Sequence, residues 1–131
     1  MAHILLVDDD QTFLDTASEA IQALGHTTSC ATNQFDAVEL VEPGVFNLAF
    51  VDVIMPGGGA ITAVNLLKEK DQDLPIIAMT GMWTVRSSPV MQVGLHNAAA
   101  KIEKTYRLSE LEELITKYAN SSEISASAIA T

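Results

Sequence analysis

The sequence has few cysteines, few basic residues and no long apolar run, and each shortage excludes a class of protein. It contains one cysteine, Cys30, and three scattered histidines, His3, His26 and His96. Internal disulfides and cysteine-rich zinc sites are therefore excluded. Only 7 Lys and Arg accompany 17 Asp and Glu, and the resulting formal charge of -10 disfavours binding to nucleic acid or anionic membranes.

The remaining absences concern location. No apolar run approaches the roughly 20 residues that a membrane-spanning helix needs. The amino terminus lacks a basic region, an apolar stretch of signal length and a small-residue cleavage site. Together with the lone cysteine, these features predict a cytoplasmic protein in a reducing compartment.

The sequence contains enough apolar residues to form one hydrophobic core. Of its 131 residues, 48% are apolar, which suits a single compact domain. The composition becomes small and polar beyond Ala119. We therefore expect one domain over residues 1–119 and a short flexible tail over residues 120–131.

Short apolar runs alternate with helical patterns, as in repeated βα units around a parallel sheet. Strands are predicted at residues 4–7, 27–31, 48–51, 76–79 and 98–102. The second is the most polar and suits a sheet edge, and the third suits a central position. Helices are predicted between Phe13 and Gly25, from the cap Asn33 to Pro43, around Ile61 to Leu67, from Ser88 to Gly94, and from the Ser109 and Glu112 capping box to Tyr118.

Polar side chains follow four of these strands. Asp8 and Asp9 follow the first strand, Asp52 the third, Thr80 the fourth and Lys104 the fifth. In an open parallel sheet, ligands bind at the carboxyl ends of the strands, so these groups should converge on one edge.

Three carboxylates at one edge repel one another unless a cation or protons reduce their charge. A divalent metal is the natural solution, and Mg2+ prefers oxygen ligands of this type, whereas zinc would favour His or Cys. One carboxylate could then attack a phosphoryl group while Mg2+, the Lys104 ammonium and the Thr80 hydroxyl neutralise charge on its oxygens.

Four motifs over residues 3–119 resemble those of response-regulator receiver domains. They are Ile4-Leu-Leu-Val-Asp-Asp-Asp10, Asp52-Val-Ile-Met-Pro56, Pro75-Ile-Ile-Ala-Met-Thr80-Gly81, and Lys104 with Leu108, Glu110 and Leu111. The resemblance implies a flavodoxin-like α/β fold, with a doubly wound five-stranded parallel sheet in the order 2-1-3-4-5 and helices on both faces.

The resemblance also implies a role for each site residue. Asp52 would be the phosphoacceptor; Asp9, Asp52 and the Ile54 carbonyl would bind Mg2+ directly, and Asp8 would act through water. By the same likeness, Thr80 would bond a phosphoryl oxygen after transfer and Lys104 would pair with the same group.

The resemblance further implies a single-domain response regulator that is not a turnover enzyme. Its phosphodonor would be a histidine kinase or a histidine phosphotransfer protein. Output would come through contacts with a downstream protein, by family analogy on the fourth helix, fifth strand and fifth helix. The sequence names neither partner, and it leaves open a monomer or a phosphorylation-dependent dimer.

Several positions depart from the family pattern. Lys101 replaces the usual aromatic switch residue, and Thr105 follows the lysine where the family has a cis proline. A non-proline cis bond would cost about 3 to 4 kcal/mol, so a trans bond is expected. Glycines at 57–59 loosen the adjacent loop. By analogy with the family, Ile54 and Met82 would lie beside the phosphoryl group, and their bulk suggests slow loss of phosphate.

Three other functions compete with this one. A degenerate receiver could act as a non-phosphorylated interaction module, consistent with Lys101 and Thr105. Asp8, Asp10 and Thr12 also fit the start of haloacid-dehalogenase-like phosphatases, in which Asp8 would be the nucleophile, but no Asp occurs after Asp73 to complete their metal site. A flavodoxin-like nucleotide binder would need glycines and backbone amides in the first loop to hold phosphate, whereas this chain has carboxylates there.

Overall fold

The computed structural model describes residues 2–52, 60–80, 98–103 and 109–119, and the fold is given for these ranges. Strands and helices alternate along most of the chain, as predicted. In chain order the elements are β1 (His3–Val7), α1 (Gln11–Ala23), β2 (Thr27–Ala31), α2 (Gln34–Leu40), β3 (Leu48–Asp52), α3 (Ala60–Lys70), β4 (Ile76–Thr80), β5 (Ala100–Glu103) and a final helix, α4, over 109–119.

The five strands form one parallel sheet in the order β2-β1-β3-β4-β5. This confirms the predicted flavodoxin-like order. Val7 of β1 pairs with Val51 of β3, and Thr80 of β4 pairs with Glu103 of β5. All five strands therefore end on the same edge of the sheet, where polar groups that follow them are brought together.

Helices cover both faces of this sheet. Alternate residues of β1 show the division, because Leu5 and Val7 belong to one buried cluster while Ile4 and Leu6 belong to another. Helices α2 and α3 contribute to the first cluster, and α1 and α4 contribute to the second. Strands β1 and β3 are thus buried on both sides, which explains their unbroken apolar sequences.

Local sequence signals define the ends of α1. The Asp10 side chain accepts a hydrogen bond from the Phe13 amide at 3.2 Å and caps the amino terminus. At the other end Leu24 is the C-cap, and Gly25 follows with a φ of 95°. That left-handed conformation favours glycine, so Gly25 stops the helix as the sequence predicts.

Some predicted boundaries were wrong by a few residues. Helix α2 ends at Leu40 instead of reaching Pro43, because Val41 is extended with a ψ of 124°. Pro43 also disfavours helical conformation at Glu42, the residue before it. Val41 is nevertheless buried, as expected. β5 begins at Ala100 and extends to Glu103, two residues later and one residue further than predicted.

The ends of β3, β4 and α4 also differ slightly from the predictions. Asp52 and Thr80 are the last residues of β3 and β4 and do not follow them. Ser109 already lies in α4, whereas the capping-box pattern placed it just before the helix. The helix predicted from Ser88 to Gly94 and the tail at 120–131 lie outside the described residues. Within the described ranges, no helix has the length and apolarity needed to span a membrane.

Asp71 is a buried carboxylate that connects two loops. It is 8% exposed, and its oxygens accept hydrogen bonds from the Gly44 amide at 3.2 Å and the Asp73 amide at 3.0 Å. Asp71→Ala would leave these donors without that acceptor, so we expect a loss of about 1 to 3 kcal/mol in the free energy of unfolding. Urea unfolding can measure it. Exposed Asp73→Ala serves as the control, and equal losses in both variants would contradict the role of the buried carboxylate.

Cys30 lies exposed on the edge strand β2, and its surroundings shift the pKa of its thiol. Partial burial raises the pKa of its thiol, the nearby Asp15 carboxylate raises it further, and a hydrogen bond with Ser18 lowers it. Because the thiolate is the nucleophile, a raised pKa slows alkylation near neutral pH.

We therefore expect Asp15→Asn to lower the Cys30 pKa and accelerate alkylation. Iodoacetamide rates measured across a pH series would show this shift. Glu19→Gln changes the charge of the same helix elsewhere and provides the control. A rate increase in the Glu19 variant alone would contradict the assignment to Asp15.

Candidate metal centre

The carboxyl edge of the sheet brings three aspartates together. Asp52 ends β3, while Asp8 and Asp9 directly follow β1, the strand beside it. One carboxylate oxygen from each of the three lies within 4.8 Å of the others. The sequence-based prediction that these residues converge is therefore confirmed by the geometry.

Backbone hydrogen bonds hold Asp8 in position. Its amide donates to the Ala31 carbonyl of β2 at 3.1 Å, which continues the pairing of β1 beyond its last residue. Its Oδ1 accepts a hydrogen bond from the Asp10 amide at 2.9 Å. Asp8 is thus a fully buried carboxylate whose orientation is set by the turn between β1 and α1.

The three carboxylates differ in exposure. Asp8 is 0% exposed and Asp52 is 4% exposed, whereas Asp9 is exposed. The side chains of Asp8 and Asp52 are therefore largely removed from water, whereas Asp9 remains accessible to solvent. Clustered negative charges in such a place are stabilised by a bound cation.

The donor set fits Mg2+. All three groups are carboxylate oxygens, the ligand type that Mg2+ prefers, and exposed Asp9 leaves a solvent-facing side for water or phosphate oxygens. A zinc site would favour histidine or cysteine ligands, and among the described residues neither type belongs to the cluster. His3 instead contacts Ser29 and Val45, and His26 accepts a hydrogen bond from the Ala2 amide.

Asp10 has a different role from its two neighbours. Its side chain caps α1 through the Phe13 amide, and it is not part of the carboxylate cluster. The acidic triplet thus divides into two cluster residues and one helix cap.

The other predicted site residues are placed only in part. Thr80 ends β4, the strand next to β3, so its backbone lies at the same edge as Asp52. The β5 residue paired with it is Glu103, the immediate neighbour of Lys104 in the sequence. The orientation of the Thr80 side chain is not described, and Ile54 and Lys104 lie outside the described residues.

Sequence reasoning did not identify the groups that support the cluster. The Ala31 carbonyl and the Asp10 amide fix Asp8, yet neither has a side-chain signal of its own. The run of three aspartates could have indicated the second contact, because Asp side chains frequently bond the amide two residues on.

Comparisons with known proteins agree with this geometry. The family model described as the response regulator receiver domain matches residues 4–116. Among solved structures, the chain is similar to the response regulator protein TrrA from Thermotoga maritima in complex with Mg(2+)-BeF. The two share 25% identity with a TM-score of 0.77, over 90% of this chain and 99% of that one.

Two further comparisons give the same result. A CheY-like receiver domain protein from Methanospirillum hungatei has a TM-score of 0.85 at 24% identity, covering 95% of this chain and 98% of that one, and supports the fold. Transcription factor SKN7 from Saccharomyces cerevisiae is 25% identical over 116 residues, which are 88% of this chain and 18% of that protein. The chain therefore spans less than a fifth of the length of this curated relative.

Proposed function

Because the chain belongs to the response regulator receiver domain family, we propose that it is a phosphorylation switch whose acceptor is Asp52. The observation that carries this proposal is the cluster of Asp8, Asp9 and Asp52 at the carboxyl edge of the sheet. Receiver domains are signalling modules of two-component systems, and Mg2+ and phosphorylation are typical of them.

Asp52 is suited to be the nucleophile. It ends the central strand β3 and is 4% exposed, so its carboxylate is held in place by a strand that is itself buried. In the proposed reaction, an Asp52 oxygen attacks the phosphorus of a phosphohistidine. The bond from nitrogen to phosphorus breaks, an acyl phosphate forms on Asp52, and the histidine takes up a proton as it leaves.

Asp8 and Asp9 would hold Mg2+ together with Asp52, in accordance with their position and oxygen ligands. When bound, Mg2+ supplies positive charge that stabilises the phosphoryl oxygens during transfer. The buried, backbone-anchored Asp8 fixes one side of the site, and the exposed Asp9 leaves room for the donor to approach. Asp8 would act through water and Asp9 directly.

Three further roles belong to the proposal through the family likeness. The Ile54 carbonyl would complete the protein ligands of Mg2+. Thr80 would donate a hydrogen bond to a phosphoryl oxygen, and Lys104 would pair with that group. Thr80 ends β4, the strand beside β3, and this supports a position for Thr80 near Asp52. Thr80 pairs with Glu103, the residue before Lys104, and this pairing supports the same position for Lys104.

The partners follow from this chemistry. A histidine kinase or histidine phosphotransfer protein would donate the phosphoryl group, and a downstream protein would recognise the phosphorylated form. Residues 1–119 would form the receiver and 120–131 a tail, in a cytoplasmic monomer or phosphorylation-dependent dimer. The intact carboxylate cluster favours this function over a non-phosphorylated interaction module.

Intact-protein mass spectrometry after incubation with acetyl phosphate tests the proposal. With Mg2+ present, the wild type should gain one phosphoryl adduct of about 80 Da as acetate leaves. Asp52→Asn should gain none, because the amide is a poor nucleophile. Asp73→Asn removes an exposed carboxylate elsewhere and should react like the wild type.

Two outcomes would contradict the assignment. An adduct that persists in Asp52→Asn would place the acceptor at another residue. A folded protein that gains no adduct from acetyl phosphate or from phosphorylated histidine kinases, and that does not bind Mg2+, would instead be an interaction module. Circular dichroism of each variant confirms folding.

A further inference from the structure

Exposed apolar side chains are concentrated in one short segment. Among the described residues, the large hydrophobic side chains exposed to solvent are Phe35 at 62%, Leu40 at 41% and Val45 at 42%. Single exposed apolar residues are ordinary on a protein surface, but these three fall within one helix and the turn after it. Their concentration makes this segment a candidate interaction surface.

Helix geometry places two of them on one continuous face. At 100° per residue, the solvent side of α2 runs in the order Phe35, Glu39, Asp36, Leu40 over about 140°. All four side chains are exposed, whereas Ala37 on the opposite side is buried against the sheet. The face therefore places two carboxylates between two apolar side chains, and it uses no residue that α2 needs for its own packing.

We call this surface the α2 face. It combines the three exposed apolar side chains with the exposed carboxylates that lie between them in the sequence. Its residues are Phe35, Asp36, Glu39, Leu40, Glu42 and Val45.

The charged side chains of the α2 face itself are all acidic. No Lys or Arg occurs before Lys68, so neither α2 nor the strands beside it supply a cation. Lys70 of α3 lies 4.0 Å from Glu42, and this exposed ion pair compensates one carboxylate at the rim. Asp36 is fixed by hydrogen bonds with Asn33, so it is an ordered negative charge on the same face as the exposed Glu39.

We infer that the α2 face binds a partner protein segment that presents apolar side chains flanked by Lys or Arg. Apolar groups would bury Phe35 and Leu40, while basic groups would meet Asp36 and Glu39. A second copy of this chain would bring the same negative charges into contact. Nucleic acid and anionic membranes would be repelled in the same way. None of these residues belongs to the carboxylate cluster, so the inference stands apart from phosphorylation of Asp52.

A synthetic amphipathic helix of leucine and lysine is a suitable probe, and its counterpart with serine in place of leucine controls for charge alone. In nitrogen-edited NMR spectra of the full chain, the amide signals of residues 34–45 should shift when the leucine peptide is added. Phe35→Ser should weaken its binding about tenfold, as expected for an interface aromatic. Raising the salt concentration should weaken binding further.

Charge reversal provides a matched pair of variants. Glu39→Lys on α2 and Glu19→Lys on α1 change the net charge equally, but α1 packs on the opposite face of the sheet. We expect the Glu39 variant to lose affinity several-fold more than the Glu19 variant. Because Phe35, Glu39 and Glu19 are exposed, all variants should fold, which circular dichroism can verify.

Three results would overturn the inference. If the serine peptide binds with the same affinity as the leucine peptide, net charge alone explains the binding and the apolar side chains play no part. Shifts centred on α1, or affinity unchanged by Phe35→Ser, would place the interaction elsewhere. A concentration-dependent dimer in sedimentation experiments that Phe35→Ser abolishes would make a second copy the occupant.

Discussion

Saturating Mg2+ should raise the free energy of unfolding of this protein. The physical reason is the cluster of Asp8, Asp9 and Asp52, whose carboxylate oxygens lie within 4.8 Å of one another. A cation at this position removes their mutual repulsion and binds the folded state alone. At a Mg2+ concentration about 100 times its Kd, linkage gives a stabilisation of about 2.7 kcal/mol. Urea unfolding with and without Mg2+ measures it.

The control variants separate a specific site from general charge screening. Asp9→Asn removes one carboxylate from the cluster and should abolish most of the Mg2+ effect. Asp36→Asn removes a carboxylate on α2, outside the cluster, and should retain it. A comparable stabilisation of the wild type by NaCl at the same ionic strength would show that screening, not a bound ion, is responsible.

Much of the fold could be predicted from the sequence because its signals are local. The unbroken apolar runs of β1 and β3 indicate strands buried on both faces, and Gly25 indicates a helix end. Boundaries were less predictable where tertiary packing competes with local preference. Val41 fits the helical spacing, yet it leaves the helix in an extended conformation and still reaches the core.

The candidate site was predictable at the level of which residues meet. Strand order decides this, since Asp8 and Asp52 lie far apart in sequence but at the ends of neighbouring strands. The resemblance already assigned Asp8 and Asp9 to the cluster, but the capping role of Asp10 was not predicted, because it depends on backbone geometry. The turn after β1 directs Asp10 to the amide of Phe13 and leaves Asp8 and Asp9 to the cluster.

The carboxylate cluster and the α2 face differ in how the fold supports them. The cluster depends on separate segments of the chain and on buried backbone contacts, so core changes should affect it. The α2 face depends on exposed side chains of one helix and the following turn. Substitutions on that face should therefore alter binding to a partner with little effect on stability.

Truncation of Phe50 should destabilise the protein more than any of the substitutions described above. Phe50 is 0% exposed in the middle of β3, and it packs in the cluster covered by α1 and α4. Phe50→Ala leaves a cavity among close-packed side chains, so we expect a loss of about 3 to 5 kcal/mol in the free energy of unfolding. Urea unfolding followed by circular dichroism measures this loss.

Phe35→Ala offers a matched control because it removes the same atoms from a different environment. Phe35 is 62% exposed on α2, so its truncation should change the free energy of unfolding by only about 0.5 kcal/mol. The difference between the two variants isolates the contribution of burial from the chemistry of the substitution. Similar losses in both would mean that β3 is not the buried centre of the sheet. A large loss confined to Phe50 would show that the strand holding Asp52 is anchored by the core beneath it.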